Sequence, residues 1–224
     1  MSKHAVRPPL IARFYSRFLD DGDAAAFVRS VAESYSLATL HRLTTEGGRL
    51  GRRAAVLAVT LVGRASSIAV VGRALRDTDR GVRLIAEDGI QAMWNRVGTF
   101  EQCQRLQMVM RLNAAGQHAE ALQLADQILS EHPEFGEVWF QRSEALMANG
   151  QYREAIVDCR RALECENCHF YAALGLARCN LELGDLTGAV ECLQVTLRIH
   201  PHWDFARAQM ARLEREMREQ TDRS

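Results

Sequence analysis

The sequence predicts an all-α protein, a right-handed solenoid of helical hairpins, and three observations carry that expectation. Gly116, Gly150 and Gly184 stand 34 residues apart, and Ala121, Ala155 and Ala189 repeat the interval, while Pro133 and Pro201 are 68 apart with Asn167 midway. A period of that length with small residues at fixed phases means stacked helical hairpins. Each period also reads alike. An apolar-periodic stretch runs into a break at Asn149-Gly150-Gln151 or Leu183-Gly184-Asp185, and a second stretch ends near Glu131-His132-Pro133 or Ile199-His200-Pro201. Glycine supplies the left-handed residue that closes the first helix, and proline blocks continuation of the second. Composition agrees: 224 residues, 47% hydrophobic, 28 basic against 28 acidic side chains and only four prolines describe soluble globular units. A disordered chain, a collagen-like or mucin-like chain and a disulfide scaffold are all excluded on the same ground.

Within residues 102–203 the residues resemble the tetratricopeptide repeat. In the central unit (136–169) the family's signature aromatic falls on Trp139, the small helix-contact residue on Ser143, the turn glycine on Gly150, the following aromatic on Tyr152, and small alanines on Ala155 and Ala162. The unit before it (102–135) keeps Gly116, Ala121 and Pro133 but has Arg105 and His118 at the aromatic phases. The unit after it (170–203) keeps Leu176, Ala177, Gly184, Ala189 and Pro201, with Ala173 and Leu186 in place of aromatics. The resemblance implies three repeats. Residues 204–220, apolar at Phe205, Met210, Leu213 and Met217 and charged elsewhere, read as a capping helix, so that 204–224 form cap and tail. Thr99-Phe100-Glu101-Gln102 has the form of a capping box and starts the first repeat helix, which places the joint between a 1–98 domain and the 99–203 repeats.

The first half is helical as well. Gly51 to Gly63, Ser67 to Arg76 and Asp79 to Arg96 are apolar stretches separated by Gly, Ser and Asp, and Ala54, Ala55, Ala58, Ala65, Ala69 and Ala74 suit close helix packing. The run from Ala74 through Asp77, Asp79, Val82 and Arg83 to Ala86 resembles the inter-helix segment of HEAT-like repeats, in which Asp caps the second helix and a Val-Arg pair follows. Arg53, 30 residues before Arg83, begins the equivalent helix one unit earlier. Residues 1–35 add two further helices, Pro9 to Leu19 and Ala24 to Tyr35. Ala54 to Gly72 is 19 residues of mostly apolar character, but Arg64 and the turn signal after it divide it into two pieces suited to buried helices rather than a membrane span. No apolar run near the start is long enough for a secretory signal, so a cytoplasmic location is expected.

Charge separates the halves: residues 1–98 carry 15 basic and 9 acidic side chains, residues 99–224 carry 13 and 19. The resemblance implies an inner groove lined by the first helix of each repeat, suited to a peptide or helix of a protein partner. By the family's phasing the groove residues are Leu106, Met110 and Asn113, then Glu137, Phe140, Glu144 and Met147, then Tyr171, Leu174 and Arg178. Cys103, Ala114, Ala148, Leu181 and Glu182 flank them. Leu106, Phe140 and Leu174 would equally suit a core. Members that hold a chaperone's C-terminal carboxylate use Lys, Asn and Arg at phases where this chain has Leu106, Met110, Gln141, Tyr171 and Gly175, so binding of that kind is not expected.

Cys165-Glu166-Asn167-Cys168-His169 has the form used for c-type haem attachment, and two Cys with a His also suit zinc. Its place at a repeat junction, with Asn167 where proline is usual, favours a helix end with two reduced thiols, and no cofactor or metal is assigned. The six cysteines are expected to be reduced. His132 and His200, each before a proline, read as solvated helix ends. Phosphate loops, nucleophile elbows and metalloprotease His pairs are absent from the sequence, so no catalytic residue and no small-molecule substrate are assigned. The expected role is a non-enzymatic interaction scaffold. The alternative is nucleic-acid or polyanion binding by the first half, through Arg49, Arg52, Arg53, Arg80 and Arg83. Against it, 27 of the 28 basic residues are Arg, a bias of the whole chain, and no aromatic lies among them for base stacking.

Overall fold

The computed structural model describes residues 9–221. The first eight residues, assigned above to the N-terminal domain and the region of a signal, and the last three, assigned to the tail, lie outside the described residues. Among the described residues every regular element is helical. The chain divides into two compact units, one ending at Met93 and one beginning at Trp94.

The first unit contains α1 (Leu10–Asp21), α2 (Ala24–Ser34), α3 (Leu37–Glu46), α4 (Arg49–Val62), a single 3-10 turn (Ala65–Ser67) and α5 (Ile68–Ala74), followed by most of α6 (Arg80–Trp94). The α4 helix is its centre, packing against α1, α2, α3 and α5. A helix enclosed by neighbours must be apolar or small on most of its surface, and Gly51, Ala54, Ala55, Val56, Ala58, Val59 and Thr60 are all buried. The α6 helix approaches so closely that a Cβ at Gly89 would stand 2.1 Å from the Thr60 side chain. Arg64 breaks the apolar run between α4 and the 3-10 turn, and no described helix is long and apolar enough to cross a membrane. Of the small residues expected in contacts, Ala54, Ala55, Ala58 and Ala74 are buried, whereas Ala65 and Ala69 are exposed.

Two arginines of α4 hold the loop that leads into α6. Arg52 pairs in fork geometry with Asp77 (2.7 and 2.9 Å), and Arg53 does the same with Asp79 (2.6 and 2.9 Å). Asp79 also accepts the Val82 N–H at 3.0 Å, satisfying one of the amides that the start of α6 leaves open. The guanidinium of Arg53 holds the Asp79 carboxyl at about 2, below the ordinary carboxylate range.

The second unit runs through α7 (Phe100–Ala114), α8 (His118–Glu131), α9 (Gly136–Ala148), α10 (Tyr152–Cys165), α11 (Phe170–Glu182), α12 (Leu186–Ile199) and α13 (Asp204–Thr221). Each helix packs on the next, and α9 also touches α7 and α11, the arrangement of stacked hairpins. Thr99 and Gln102 form the reciprocal capping box that begins α7. The hairpins α7–α8, α9–α10 and α11–α12 turn at Gly116, Gly150 and Gly184, with φ of 73°, 74° and 79°. There the N–H groups of Gln117, Gln151 and Asp185 reach back to the carbonyls of Leu112, Leu146 and Asn180 at 2.9, 2.9 and 2.8 Å. Such bonds satisfy carbonyls that a helix end would otherwise leave open, and they need a left-handed residue between donor and acceptor.

The facing helices meet over small residues: Ala121, Ala125, Ala155, Ala162 and Ala189 are fully buried. A clasp at Arg142 joins three helices, with Nε and Nη2 on Asp158 at 2.7 Å each, Nη1 on Asp126, and the guanidinium 4.6 Å above the Trp139 ring. On α13 the buried stripe is Ala206, Met210 and Leu213, packed with residues of α11 and α12. Phe205, expected in that stripe, is 52% exposed because it lies one position off the helical repeat that points inward.

The Asp79 geometry predicts a stabilising contribution whose pH dependence is confined to the acid range. Asp79→Ala removes both the ion pair and the cap and is expected to lower stability by about 2 kcal/mol, and Asp79→Asn by less. Because the folded carboxyl titrates below its unfolded value, the stabilisation is complete above about pH 4 and disappears as pH falls toward 2. Urea unfolding of wild type and both variants across that window measures it, and a difference independent of pH would refute the pairing.

Candidate functional site

The first helices of successive hairpins, α7, α9 and α11, present one face together with α13. Residues spaced by three or four along a helix share a face, and that spacing relates Phe140, Glu144 and Met147 on α9 and Tyr171, Leu174 and Arg178 on α11. Between these helices lies a cavity of about 440 Å³. Met147, Leu174, Leu181 and Phe205 form much of its apolar wall, and Asn113, Glu144, Arg178, Glu182 and Arg212 bring polar atoms to it. Glu144 and Arg178 pair across α9 and α11 at 3.1 Å, with Arg178 more than half exposed. Asn113 donates to the Gln141 carbonyl at 2.8 Å, while its own Oδ1 is buried without a partner.

The residues expected in the groove separate into three groups. Asn113, Glu144, Met147, Leu174 and Arg178 come together in the cavity, as do the flanking Ala148, Leu181 and Glu182. Leu106 is fully buried in the cluster shared by α7, α8 and α9, with Met110 partly buried against it, so Leu106 is core and not groove surface. Glu137, Phe140 and Tyr171 are not part of the cavity lining and belong to an aromatic assembly. Glu137 is 6% exposed. Sequence reasoning missed Tyr152, His118, Phe205, Gln209 and Arg212, which also line the cavity. The phase of Phe205, adjacent to the stripe Ala206, Met210 and Leu213, was the available signal.

His169 organises the aromatic assembly. Its Nδ1 accepts the Ala172 N–H at 3.1 Å and so caps α11, which places the ring proton on Nε2, where it is donated to Glu137 Oε2 at 3.1 Å. The other Glu137 oxygen accepts from Gln141 at 2.9 Å. The imidazole face stacks on Trp94, 4.2 Å between centroids and 5° between planes. Both nitrogens are thus engaged within the fold. No cluster of three potential metal-ligating side chains occurs among the described residues. Burial pushes the Cys159 and Cys168 thiols up to about 12 and Cys179 to about 11, and raises Cys165, which is only half-buried. The Cys-x-x-Cys-His segment therefore behaves as a helix start built on His169. His200 differs from expectation: it is 2% exposed, 5.3 Å from the Phe170 ring and stacked on Trp203 at 6.0 Å, because the turn after α12 sets it between rings of α11 and of the turn itself.

In the first unit Arg52 and Arg53 are committed to Asp77 and Asp79, and Arg83 donates to the Asp77 and Thr78 carbonyls at 2.8 and 3.1 Å. Of the five arginines considered for a polyanion, Arg49 and Arg80 are exposed.

Stacked hairpins thus leave an open, part-apolar cavity along the first helices and α13. A family model of the tetratricopeptide repeat matches residues 112–157 and 146–213, and this part of the chain consists of tetratricopeptide repeats. Two curated proteins are similar to part of the chain. One is the WD and tetratricopeptide repeats protein 1 of Mus musculus, 34% identical over 83 residues, which are 36% of this chain and 12% of that protein. The other is the TPR repeat-containing thioredoxin TTL4 of Arabidopsis thaliana, 34% identical over 94 residues, 42% of this chain and 14% of that protein. The chain thus spans less than one-sixth of the length of these relatives. Among solved structures, the Sgt2 TPR domain from Aspergillus fumigatus aligns with a TM-score of 0.52 and 21% identity over 56% of this chain and 84% of that one. The first TPR domain of Spaghetti (RPAP3), bound to the HSP90 peptide SRMEEVD, aligns with a TM-score of 0.51 and 15% identity over 54% of this chain and 96% of that one. Both share the fold.

The thiol environments predict selective alkylation. With iodoacetamide at pH 8, Cys165 is expected to react in the folded chain, and Cys159, Cys168 and Cys179 only after denaturation, as read by mass spectrometry of peptides. Native labelling of Cys168 as fast as Cys165 would contradict the burial described.

Proposed function

We propose that the protein is a non-enzymatic adaptor whose tetratricopeptide groove holds a peptide or helix of a protein partner. The observation that carries this is the cavity between α9, α11 and α13, where Met147, Leu174, Leu181 and Phe205 surround a space open to side chains of a second molecule. Apolar anchors in such a cavity supply affinity, and the rim charges Glu144, Arg178, Glu182 and Arg212 select among sequences. On this reading residues 102–135, 136–169 and 170–203 are three repeats and α13 is the cap that lends Phe205 to the groove. The joint to the 1–98 domain is read near Val97 to Thr99, a few residues after the break between compact units at Met93 and Trp94. The first unit reads as HEAT-like, supported by the Asp79 cap on α6 and the Arg53 pair behind it.

The occupant differs in kind from the HSP90 peptide held by the structural neighbour. Arg178 is paired with Glu144, and Arg212 is the other arginine among the described lining residues, so a terminal carboxylate would leave water without a converging pair of free cations. Titration of labelled SRMEEVD is therefore expected to give no saturable anisotropy change below about 1 mM. A Kd in the micromolar range would overturn this choice of ligand.

Partner capture tests the groove itself. Affinity purification with wild type and with a Leu174→Lys/Leu181→Lys double variant is expected to lose a wild-type partner by tenfold or more, about 1.4 kcal/mol or beyond, with helical circular dichroism unchanged. Equal recovery of the same proteins by both would rule the groove out as the working surface. Nucleic acid recovered by both, with salt-dependent affinity, would move the function to the first unit.

A further inference from the structure

We infer that the inner surface carries a second subsite, selective for an aromatic side chain and formed by Phe140, His169, Phe170 and Tyr171, which Trp94 fills in cis as an intramolecular ligand. The inference rests on the groove reading above and adds to it the class of side chain that competes at one end.

Four observations support it. Phe140 and Tyr171 share helix faces with Glu144, Met147, Leu174 and Arg178, so the subsite continues the cavity along α9 and α11. Trp94 is 2% exposed there: stacked on His169 at 4.2 Å, tilted against Phe170 at 5.5 Å and edge-on to Tyr171 at 6.5 Å. The subsite walls hold one another independently of the indole, with Phe140 4.9 Å from His169 and 6.2 Å from Tyr171, and with His169 fixed by Glu137 and the Ala172 N–H. Finally, the seat is imperfect for this occupant. The Trp94 indole N–H and the neighbouring Asn95 Oδ1 are both buried without hydrogen-bond partners. A side chain built permanently into a core ordinarily satisfies such groups, and leaving them unpaired costs free energy that release to water recovers.

Ring contact and apolar burial therefore hold the indole, while the Trp94 backbone ends α6 and accepts the Val97 N–H at 3.3 Å, and another aromatic side chain offers the same ring contacts. A short break follows it, Asn95 to Thr99, containing Gly98 at φ 115°. An aromatic residue of the partner and Trp94 thus compete for one place, and a partner's apparent affinity is reduced by the fraction of molecules in which Trp94 occupies it.

The test uses the full-length chain and two fluorescein-labelled peptides, residues 86–98 of this sequence and the same peptide with Trp94→Ala. The Trp94→Ala protein is expected to bind the tryptophan peptide at least about tenfold more tightly than wild type does, and not to bind the alanine peptide. Equal affinity for wild type and variant, or indifference to the peptide's tryptophan, overturns the inference. If Trp94→Ala abolishes the helical circular dichroism of the repeats, Trp94 is core and the inference is equally overturned. Trp94→Phe provides the graded control, expected to retain the fold and to bind the tryptophan peptide with intermediate affinity; loss of the fold there too would again assign the residue to the core. In a Trp94→Ala chain that also carries Leu174→Lys/Leu181→Lys, retained peptide binding shows that this subsite stands even where partner capture by the open cavity fails.

Discussion

A left-handed glycine at each hairpin turn is the constraint on which the repeat region depends. At Gly116, Gly150 and Gly184 the chain must reverse within a few residues while satisfying the carbonyls that end the first helix, and the backbone bonds that do so close only across a residue with positive φ. Once the turn is set, the two helices of a hairpin lie side by side, and their approach is governed by the alanines at 121, 155 and 189, which are fully buried. The same geometry recurs at a fixed interval, so the first helices of successive hairpins align and their common face follows from local chemistry repeated along the chain.

The face shared by α9 and α11 has two chemically different ends. At one, a cavity lined by Met147, Leu174, Leu181 and Phe205 offers adaptable apolar contact bounded by charge. At the other, rings are packed around a histidine whose nitrogens are both committed to the fold. His169 does three things through one side chain: it caps α11, it gives the buried Glu137 a hydrogen-bonded partner, and it supplies a flat face to Trp94. A buried carboxylate without such a donor would be costly, so Glu137 on α9 and His169 at the head of α11 also tie adjacent hairpins together.

In the first unit the organising element is a central helix covered on most sides, and its arginines work at the periphery. Arg52 and Arg53 leave α4 in sequence and meet Asp77 and Asp79, two residues apart in the following loop. Parallel forked pairs fix that loop, and the cap at Val82 then starts α6. Charges that look available for an anion in the sequence are here consumed by structure, while Arg49 and Arg80 stay at the surface.

Much of this was legible without coordinates, because helix ends, hairpin turns and the 34-residue phase are encoded locally by glycine, proline, capping residues and alanine. The break at Arg64, the capping box at Thr99 and the identity of the tetratricopeptide region follow from neighbours in sequence alone. What local pattern does not encode is which of several apolar residues on one helix face meets solvent. Leu106 and Leu174 occupy comparable phases, yet one is sealed under α8 and α9 and the other faces a cavity completed by α13. The same holds for Phe205, exposed one step from a buried stripe, and for the Cys-x-x-Cys-His segment, whose histidine is spent on Glu137, Ala172 and Trp94. The sequence by itself determined the helices, their turns and their repeat, since those depend on short-range backbone bonding; only the tertiary structure decided which apolar residues line the open cavity and which are core, since burial depends on what distant residues bring to cover it.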